Sequence, residues 1–202
     1  FLTQLDSRHQ EGSAFSAPTS RHGITLQDSV SYGWVTLLGG IRYDFVHLRD
    51  SAGANGQDGN GVSPRGGISI QPLDWLVFFG NVSQTRTSML GMAGRDGEPL
   101  TKPWYATQTE GGVRIKTFDS LWLSASVYRI EQENTPVQVA NTTYYEQEGR
   151  NTSRGFELSA AGDITDDWSM LAMYSFNSYT DRTKAPGSKG RDFERYPAHT
   201  FT

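Results

Sequence analysis

The sequence predicts an all-β fold: an antiparallel up-and-down transmembrane β-barrel, of which this chain forms an arc of about ten strands. Three observations favour this fold class. Apolar and polar residues alternate with period 2, whereas no helical period persists through a dozen residues. Tight turns alternate with long polar segments along the chain. Four of the five tryptophans come directly after a tight turn.

The predicted strands are long for a soluble protein. They lie at residues 1–8, 21–32, 34–48, 63–72, 75–87, 107–118, 121–132, 151–162, 168–181 and 197–202. Most internal ones reach the ~9–11 residues that a tilted strand needs to cross a bilayer. In the strand at 21–32, Ile24, Leu26 and Val30 share an apolar face that Asp28 interrupts, so either this register is shifted or Asp28 lies near the membrane interface, where a charge costs less.

The alternation is clearest from the strand at 63–72 onward. The strand at 75–87 begins with the longest apolar stretch, residues 75–80. The apolar positions are Ile68 and Ile70, Val113 and Ile115, Leu121 to Val127 at every second residue, and Phe156, Leu158 and Ala160. The polar positions between or beside them are Arg65, Ser69, Gln71, Gln108, Glu110, Arg114, Lys116, Ser124, Ser126, Glu157 and Ser159. Each pattern predicts a strand with one apolar and one polar face.

The connections between the strands alternate in length. Tight turns are predicted at 32–34, 71–74, 118–120 and 162–167, and long polar segments at 9–20, 49–62, 88–106, 133–150 and 182–196. Successive connections of an up-and-down sheet lie at opposite ends of the sheet. One end therefore carries the tight turns, and the other end carries the long segments. Outer-membrane barrels have this asymmetry between periplasmic turns and extracellular loops.

Aromatic residues lie at the tight-turn end of the predicted sheet. Trp34, Trp75, Trp122 and Trp168 each begin a strand after a tight turn, and Tyr32 ends one. A membrane interface selects amphipathic rings at one level, so we predict that these five residues form an interface belt. The alternative is that each tryptophan covers the end of a soluble sheet.

Composition argues against several kinds of partner and site. The net charge is −4, so the chain has no basic excess to neutralise nucleic-acid phosphates. The chain has no cysteine, which excludes disulfides and thiolate metal sites. Its four histidines, at positions 9, 22, 47 and 199, lack a second ligand at metal-binding spacing, so we predict no metal site.

Six segments, in order over residues 24–202, resemble those of TonB-dependent outer-membrane receptors. They are Gly40–Asp44 (GIRYD), Ser63–Leu76, Thr101–Pro103 with Glu110–Arg114, Tyr128–Asn134, Arg154–Leu158 with Trp168 and Tyr174–Phe176, and Pro197–Phe201. The branch that the chain resembles is the ferric-siderophore receptors. Such receptors are large plugged barrels in the outer membrane of Gram-negative bacteria. The resemblance implies that residues 1–202 are the middle of the barrel domain, with the plug and the terminal strands outside this sequence.

The resemblance also implies a function and partners. Receptors of this class import a ferric siderophore across the outer membrane, contact its lipid, and couple to the TonB complex through the plug. The iron belongs to the ligand, so neither a resident cofactor nor a catalytic residue is expected. Loop residues that could contact an anionic chelate are Trp104, Tyr105, Tyr144, Tyr145, Arg95 and Arg150. The alternative is that these aromatics pack the loops on one another and that the charges are solvated.

Other functions remain open at this stage. Within the same receptor class, the ligand could be haem, cobalamin or a glycan. A soluble β-sandwich binding module would explain aromatics on strands, but it does not explain the regular alternation of connection lengths. A small outer-membrane barrel enzyme would need a hydrolytic set at its rim; Asp192, Glu194 and His199 are close in sequence, but no serine elbow accompanies them.

Overall fold

The computed structural model describes residues 19–48, 57–87, 92, 94–97, 100, 102–117, 120–139, 141–165, 167–182 and 198–202. Ten strands lie in these ranges. They are β1 (Thr19–Tyr32), β2 (Val35–Leu48), β3 (Gln57–Asp58), β4 (Gly61–Leu73), β5 (Leu76–Thr87), β6 (Trp104–Thr117), β7 (Leu121–Gln138), β8 (Tyr145–Thr165), β9 (Trp168–Asp181) and β10 (His199–Phe201). A single 3-10 turn occupies Arg95–Gly97. No helix in the described ranges is long and apolar enough to span a membrane.

The strands form one antiparallel sheet in the order β1-β2-β4-β5-β6-β7-β8-β9-β10, and the two-residue β3 pairs with the end of β2. Apart from β3, each strand lies beside its neighbour in the sequence, so the predicted all-β up-and-down order is confirmed. Within the described residues, β1 and β10 each pair on one side, so the sheet is open. The strand predicted at residues 1–8 lies outside the described residues.

The sheet has one apolar and one polar face, as the alternation predicted. Cross-strand partners share a face, and Leu37 pairs with Ile68, Phe78 with Val113, and Ala125 with Leu158. We call this side the apolar face and the other side the polar face. Among the described residues, Leu121 is the single buried hydrophobic side chain. A one-layer sheet with an exposed apolar face suits lipid contact, whereas a sandwich requires two packed sheets.

Asp28 lies on the apolar face, as the sequence indicated. Asp28 pairs with Gly39 and has Leu26 and Val30 as its same-face neighbours. Its carboxylate accepts a hydrogen bond from the backbone N–H of Ser29 at 2.8 Å. The predicted register of β1 is therefore correct.

The predicted long loop at residues 133–150 is wrong. β7 continues to Gln138, and β8 begins at Tyr145, so most of this segment is an extended β-hairpin. The register shifts twice, between Glu133 and Thr135 and between Thr135 and Val137. Asn134 has a φ of 58°, and this left-handed conformation accompanies the first irregularity. Local composition hid the pairing because Glu-Asn-Thr-Pro has the residues of a turn.

Several strand ends also differ from the prediction. β6 begins at Trp104, so this residue and Tyr105 belong to a strand and not to a loop. Trp34 and Trp75 lie within the tight turns, and their strands begin one residue later. β8 continues to Thr165, which shortens the turn predicted at 162–167. The tight connections themselves remain, and Gly33 takes a φ of 57° that glycine adopts without steric cost.

Candidate functional site

The predicted belt aromatics lie at the end of the sheet that carries the tight turns. Tyr32, Trp34, Trp75 and Trp168 are exposed there. Trp122 differs from these four residues. It is half-buried, and it pairs with Lys116 and Ala161. In the sequence of β7 it lies between the apolar-face positions Leu121 and Leu123. It therefore lies on the polar face. The interface role of all five residues stays a prediction.

At the opposite end, two of the predicted ligand-binding residues are in contact. The Arg95 guanidinium lies 5.6 Å from the centroid of the Tyr144 ring. The same group donates a hydrogen bond to the Tyr144 hydroxyl at 3.4 Å and lies 3.7 Å from a Glu146 carboxylate oxygen. We call Arg95, Tyr144 and Glu146 the rim cluster. It offers an aromatic face beside a cation that a carboxylate partly offsets.

The rim cluster stands on two segments that are tied together. The Lys102 backbone N–H donates to the side-chain oxygen of Gln147 at 3.0 Å, and the Gln147 amide donates back to the Lys102 carbonyl. The Asn134 amide donates to the Pro103 carbonyl and to the Tyr105 hydroxyl, both at 3.1 Å. These bonds hold the end of the β5–β6 connection against the β7–β8 hairpin.

The other predicted ligand-binding residues are dispersed. Trp104 and Tyr105 are consecutive in β6, so they lie on opposite faces; Trp104 is on the polar face. The indole N–H of Trp104 is buried and has no acceptor among the described residues. Arg150 lies in β8, 3.9 Å from Glu133, and Tyr145 pairs with Gln138 in the hairpin. The structure thus brings Arg95 and Tyr144 together and separates Trp104 from Tyr105.

The polar face carries a side-chain network that sequence reasoning did not assemble. Asp44 is buried and accepts hydrogen bonds from the Arg42 guanidinium at 2.8 to 3.1 Å. The Asn81 amide donates to Glu110 at 3.2 Å, and the Arg114 guanidinium lies 4.8 Å from the Phe79 ring centroid. Period-2 alternation placed Glu110 and Arg114 on this face, but their partners on other strands could not be identified without the register.

Glycines on this face let large neighbours lie flat against the sheet. A Cβ on Gly23 would meet the Arg42 guanidinium, and one on Gly155 would meet the Tyr128 ring. Both pairs join adjacent strands. The long side chains of Arg42 and Tyr128 therefore cover the backbone of the neighbouring strand.

Metal ligands do not gather in the part of the chain that the structure describes. No group of three or more histidine and carboxylate side chains there could hold an ion. The predicted lack of a resident metal or cofactor stays an expectation.

Residues 4–202 match the β-barrel family of TonB dependent receptor-like proteins. The chain belongs to this family. A probable TonB-dependent siderophore receptor of Acinetobacter baumannii, PiuA, is 43% identical over 196 residues. That match covers 87% of this chain and 25% of the relative. The ferrioxamine B receptor of Salmonella typhimurium is 30% identical and covers 84% of this chain and 24% of the receptor. The chain therefore spans about a quarter of the length of these curated relatives.

Solved structures share the fold. The ferric-catecholate import receptor Fiu of E. coli superposes with a TM-score of 0.76 at 22% identity, over 91% of this chain and 31% of that one. The siderophore receptor PiuA of Acinetobacter baumannii gives a TM-score of 0.67 at 21% identity, over 86% of this chain and 28% of that one. The open sheet described above thus corresponds to part of a TonB-dependent receptor barrel, which confirms the predicted fold class and family.

Proposed function

We propose that the protein containing these residues is a receptor that imports a ferric siderophore across the outer membrane of a Gram-negative bacterium. The observation that carries this proposal is the 43% identity to a probable TonB-dependent siderophore receptor across 87% of the chain. The two-faced sheet supports it, because an exposed apolar face suits lipid and a polar face suits an aqueous interior. Energy would come from the TonB complex, as the family name indicates.

The rim cluster supplies chemistry for capturing an anionic chelate. The Tyr144 ring offers a face for an aromatic or planar ligand group, and Arg95 beside it attracts negative charge. Glu146 at 3.7 Å lowers the net positive charge, which favours moderate affinity over permanent capture. In this proposal the iron arrives inside the ligand and no ligand bond is made or broken. The protein then acts as a transporter, with neither a resident cofactor nor catalytic residues.

Uptake measurements test the proposed function. The full-length gene is expressed in a host that lacks its own siderophore receptors, and entry of radioactive iron is followed with catecholate and hydroxamate chelates. We expect uptake of at least one ferric siderophore, and we expect it to stop when TonB is deleted. Uptake of haem, cobalamin or a glycan without any ferric siderophore would overturn the ligand assignment. Uptake that continues after TonB is deleted would overturn the proposed dependence of transport on the TonB complex.

Substitution of the rim cluster is expected to weaken ligand capture. Tyr144→Ala removes the ring, and Arg95→Gln removes the charge beside it. Each is expected to lower ferric-siderophore affinity about five- to tenfold, because a cation–π or stacking contact is worth about 1 kcal/mol. Affinity is measured on purified full-length receptor by quenching of intrinsic fluorescence.

Tyr32→Ala is the matched control for Tyr144→Ala. Tyr32 is exposed at the opposite, tight-turn end of the sheet, far along the strands from the rim cluster. We expect its substitution to leave affinity unchanged. Equal losses in the two tyrosine variants would show that the rim cluster has no specific role. Unchanged affinity in both rim variants would have the same meaning.

A further inference from the structure

The β7–β8 hairpin has an unpaired residue in β7. Arg150 and Gly149 are consecutive in β8, but their partners in β7 are Glu133 and Thr135. Asn134 lies between these two partners with no residue opposite it, and its φ is 58°. This arrangement is a β-bulge, and a bulge can re-aim the side chain of the extra residue.

A second bulge follows in β8, where Gln147 and Glu148 together lie opposite Pro136. Proline has no backbone N–H to donate to the ladder, so regular pairing is interrupted at this point. Beyond both bulges, Gln138 pairs with Tyr145. One extra residue in each strand leaves the register of the hairpin unchanged, so the effect of the two bulges is local.

Both bulges direct a side-chain amide at the same neighbouring segment, residues 102–105. The Asn134 amide donates to the Pro103 carbonyl and to the Tyr105 hydroxyl, both at 3.1 Å. The Gln147 side chain accepts from the Lys102 backbone N–H at 3.0 Å and donates back to the Lys102 carbonyl. We call Asn134 and Gln147 the amide clamp. It joins the hairpin to the β5–β6 connection beyond Tyr105, the last residue of β6 that pairs with β7.

The amide clamp joins the same two segments that carry the rim cluster. Arg95 belongs to the β5–β6 connection, whereas Tyr144 and Glu146 belong to the hairpin, and Gln147 directly follows Glu146. The side chains of Arg95 and Glu146 are 69% and 44% exposed. An exposed ion pair of this kind contributes little energy, so it does not by itself hold two segments together. The distance between the Tyr144 ring and the Arg95 guanidinium therefore depends on the amide clamp.

We propose that Asn134 and Gln147 are positioning residues for ligand capture, an inference that rests on the proposed function. The two amides fix the height of the hairpin relative to the β5–β6 connection. The Tyr144 ring and the Arg95 guanidinium then meet the ligand in one preformed arrangement. A preformed site avoids the entropy cost of ordering two segments when the ligand binds. The clamp residues act through the rim cluster and do not touch the ligand.

Hydrogen exchange on purified full-length receptor without ligand tests the clamp itself. In Asn134→Gly and in Gln147→Ala, exchange of the backbone amides of residues 102–105 is expected to rise about fivefold, the factor that one hydrogen bond of ordinary net strength supplies. Glycine adopts the left-handed conformation without steric cost, so Asn134→Gly removes the amide and keeps the bulge. Gln71→Ala is the control, because Gln71 is an exposed amide in the last turn-side residues of β4, at the opposite end of the sheet. It should leave this exchange unchanged.

Ligand affinity provides a measurement that a purely structural role would not change in the same way. The probes are ferrioxamine B, a hydroxamate complex, and an iron(III) tris-catecholate complex, each titrated by fluorescence quenching. Each clamp variant is expected to lower the affinity about three- to fivefold, less than loss of the Tyr144 ring, because the ring is still present. In a receptor that already carries Tyr144→Ala and Arg95→Gln, the same clamp substitutions should have almost no further effect, because residues that act through one another are not additive.

The outcomes separate this inference from the proposed function. Unchanged exchange at residues 102–105 in both clamp variants would overturn the clamp, and so would unchanged affinity in both. Clamp substitutions that lower affinity by the same factor with and without the rim cluster would overturn positioning through that cluster. An equal loss in Gln71→Ala would also overturn it. Binding of neither probe to the unchanged receptor would overturn the proposed function, and with it any role of the clamp in capture.

Discussion

Replacement of Gly155 with valine is expected to prevent stable assembly of the barrel. A Cβ at Gly155 would overlap the backbone carbonyl of Phe176 on β9, and it would come within 2.8 Å of the Tyr128 hydroxyl on β7. The carbonyl is part of the sheet backbone and cannot move away without breaking pairing between β8 and β9. Overpacking costs about 1–3 kcal/mol where side chains can adjust, and a backbone shift costs more. The measurements are the level of full-length protein in outer-membrane fractions and its heat-dependent shift on gels.

Gly39→Val is the control for the Gly155 substitution. Gly39 also lies in the middle of a strand, but a Cβ there would meet no atom within 4 Å. Valine favours extended backbone, so this variant should assemble at the level of the unchanged protein. Normal abundance and a normal gel shift for Gly155→Val would contradict the close approach of β7, β8 and β9.

The faces of the sheet could be predicted from sequence because the alternation of side chains is a local property. Ile68 and Ile70 lie on the apolar face, as predicted, and Ser124 and Ser126 lie on the polar one. Trp122 lies between the apolar positions Leu121 and Leu123, so the same alternation puts it on the polar face, where its register places it. Its place beside a tight turn predicts its depth along the strand and not its face.

The rim cluster could be predicted only as separate residues. Arg95 and Tyr144 were both candidates by residue type, but they are 49 positions apart in the sequence. Their contact depends on the β7–β8 hairpin, which extends beyond the predicted strand ends through two register irregularities. Asn134 and Pro136 have turn propensity, so local composition favoured a loop there. Long-range pairing overrode that propensity, and the amide of Asn134 secures the neighbouring segment through Pro103.

Removal of the Asp44 carboxylate is expected to destabilise the polar face. Asp44 is 3% exposed, and it lies 2.8 Å from the Arg42 guanidinium and 3.5 Å from that of Arg21. Asp44→Ala leaves these two cations adjacent without the anion between them. The arginine side chains are 41% and 48% exposed, so water screens part of the repulsion. We expect a loss of about 1–3 kcal/mol, measured as a lower urea midpoint for the full-length protein folded in lipid vesicles.

Two further variants separate the charge of Asp44 from its capacity to accept hydrogen bonds. Asp44→Asn keeps one acceptor oxygen and should lose less stability than Asp44→Ala. Asp58→Asn is the control for an exposed pair: its carboxylate lies 2.6 Å from His47 but is 72% exposed, so the loss should stay below about 1 kcal/mol. If Asp44→Ala and Asp58→Asn lower the urea midpoint equally, the burial of Asp44 makes no measurable contribution to the stability of the protein. A larger shift for Asp44→Ala than for Asp58→Asn would mean that the buried carboxylate beside Arg21 and Arg42 stabilises the polar face more than an exposed ion pair does.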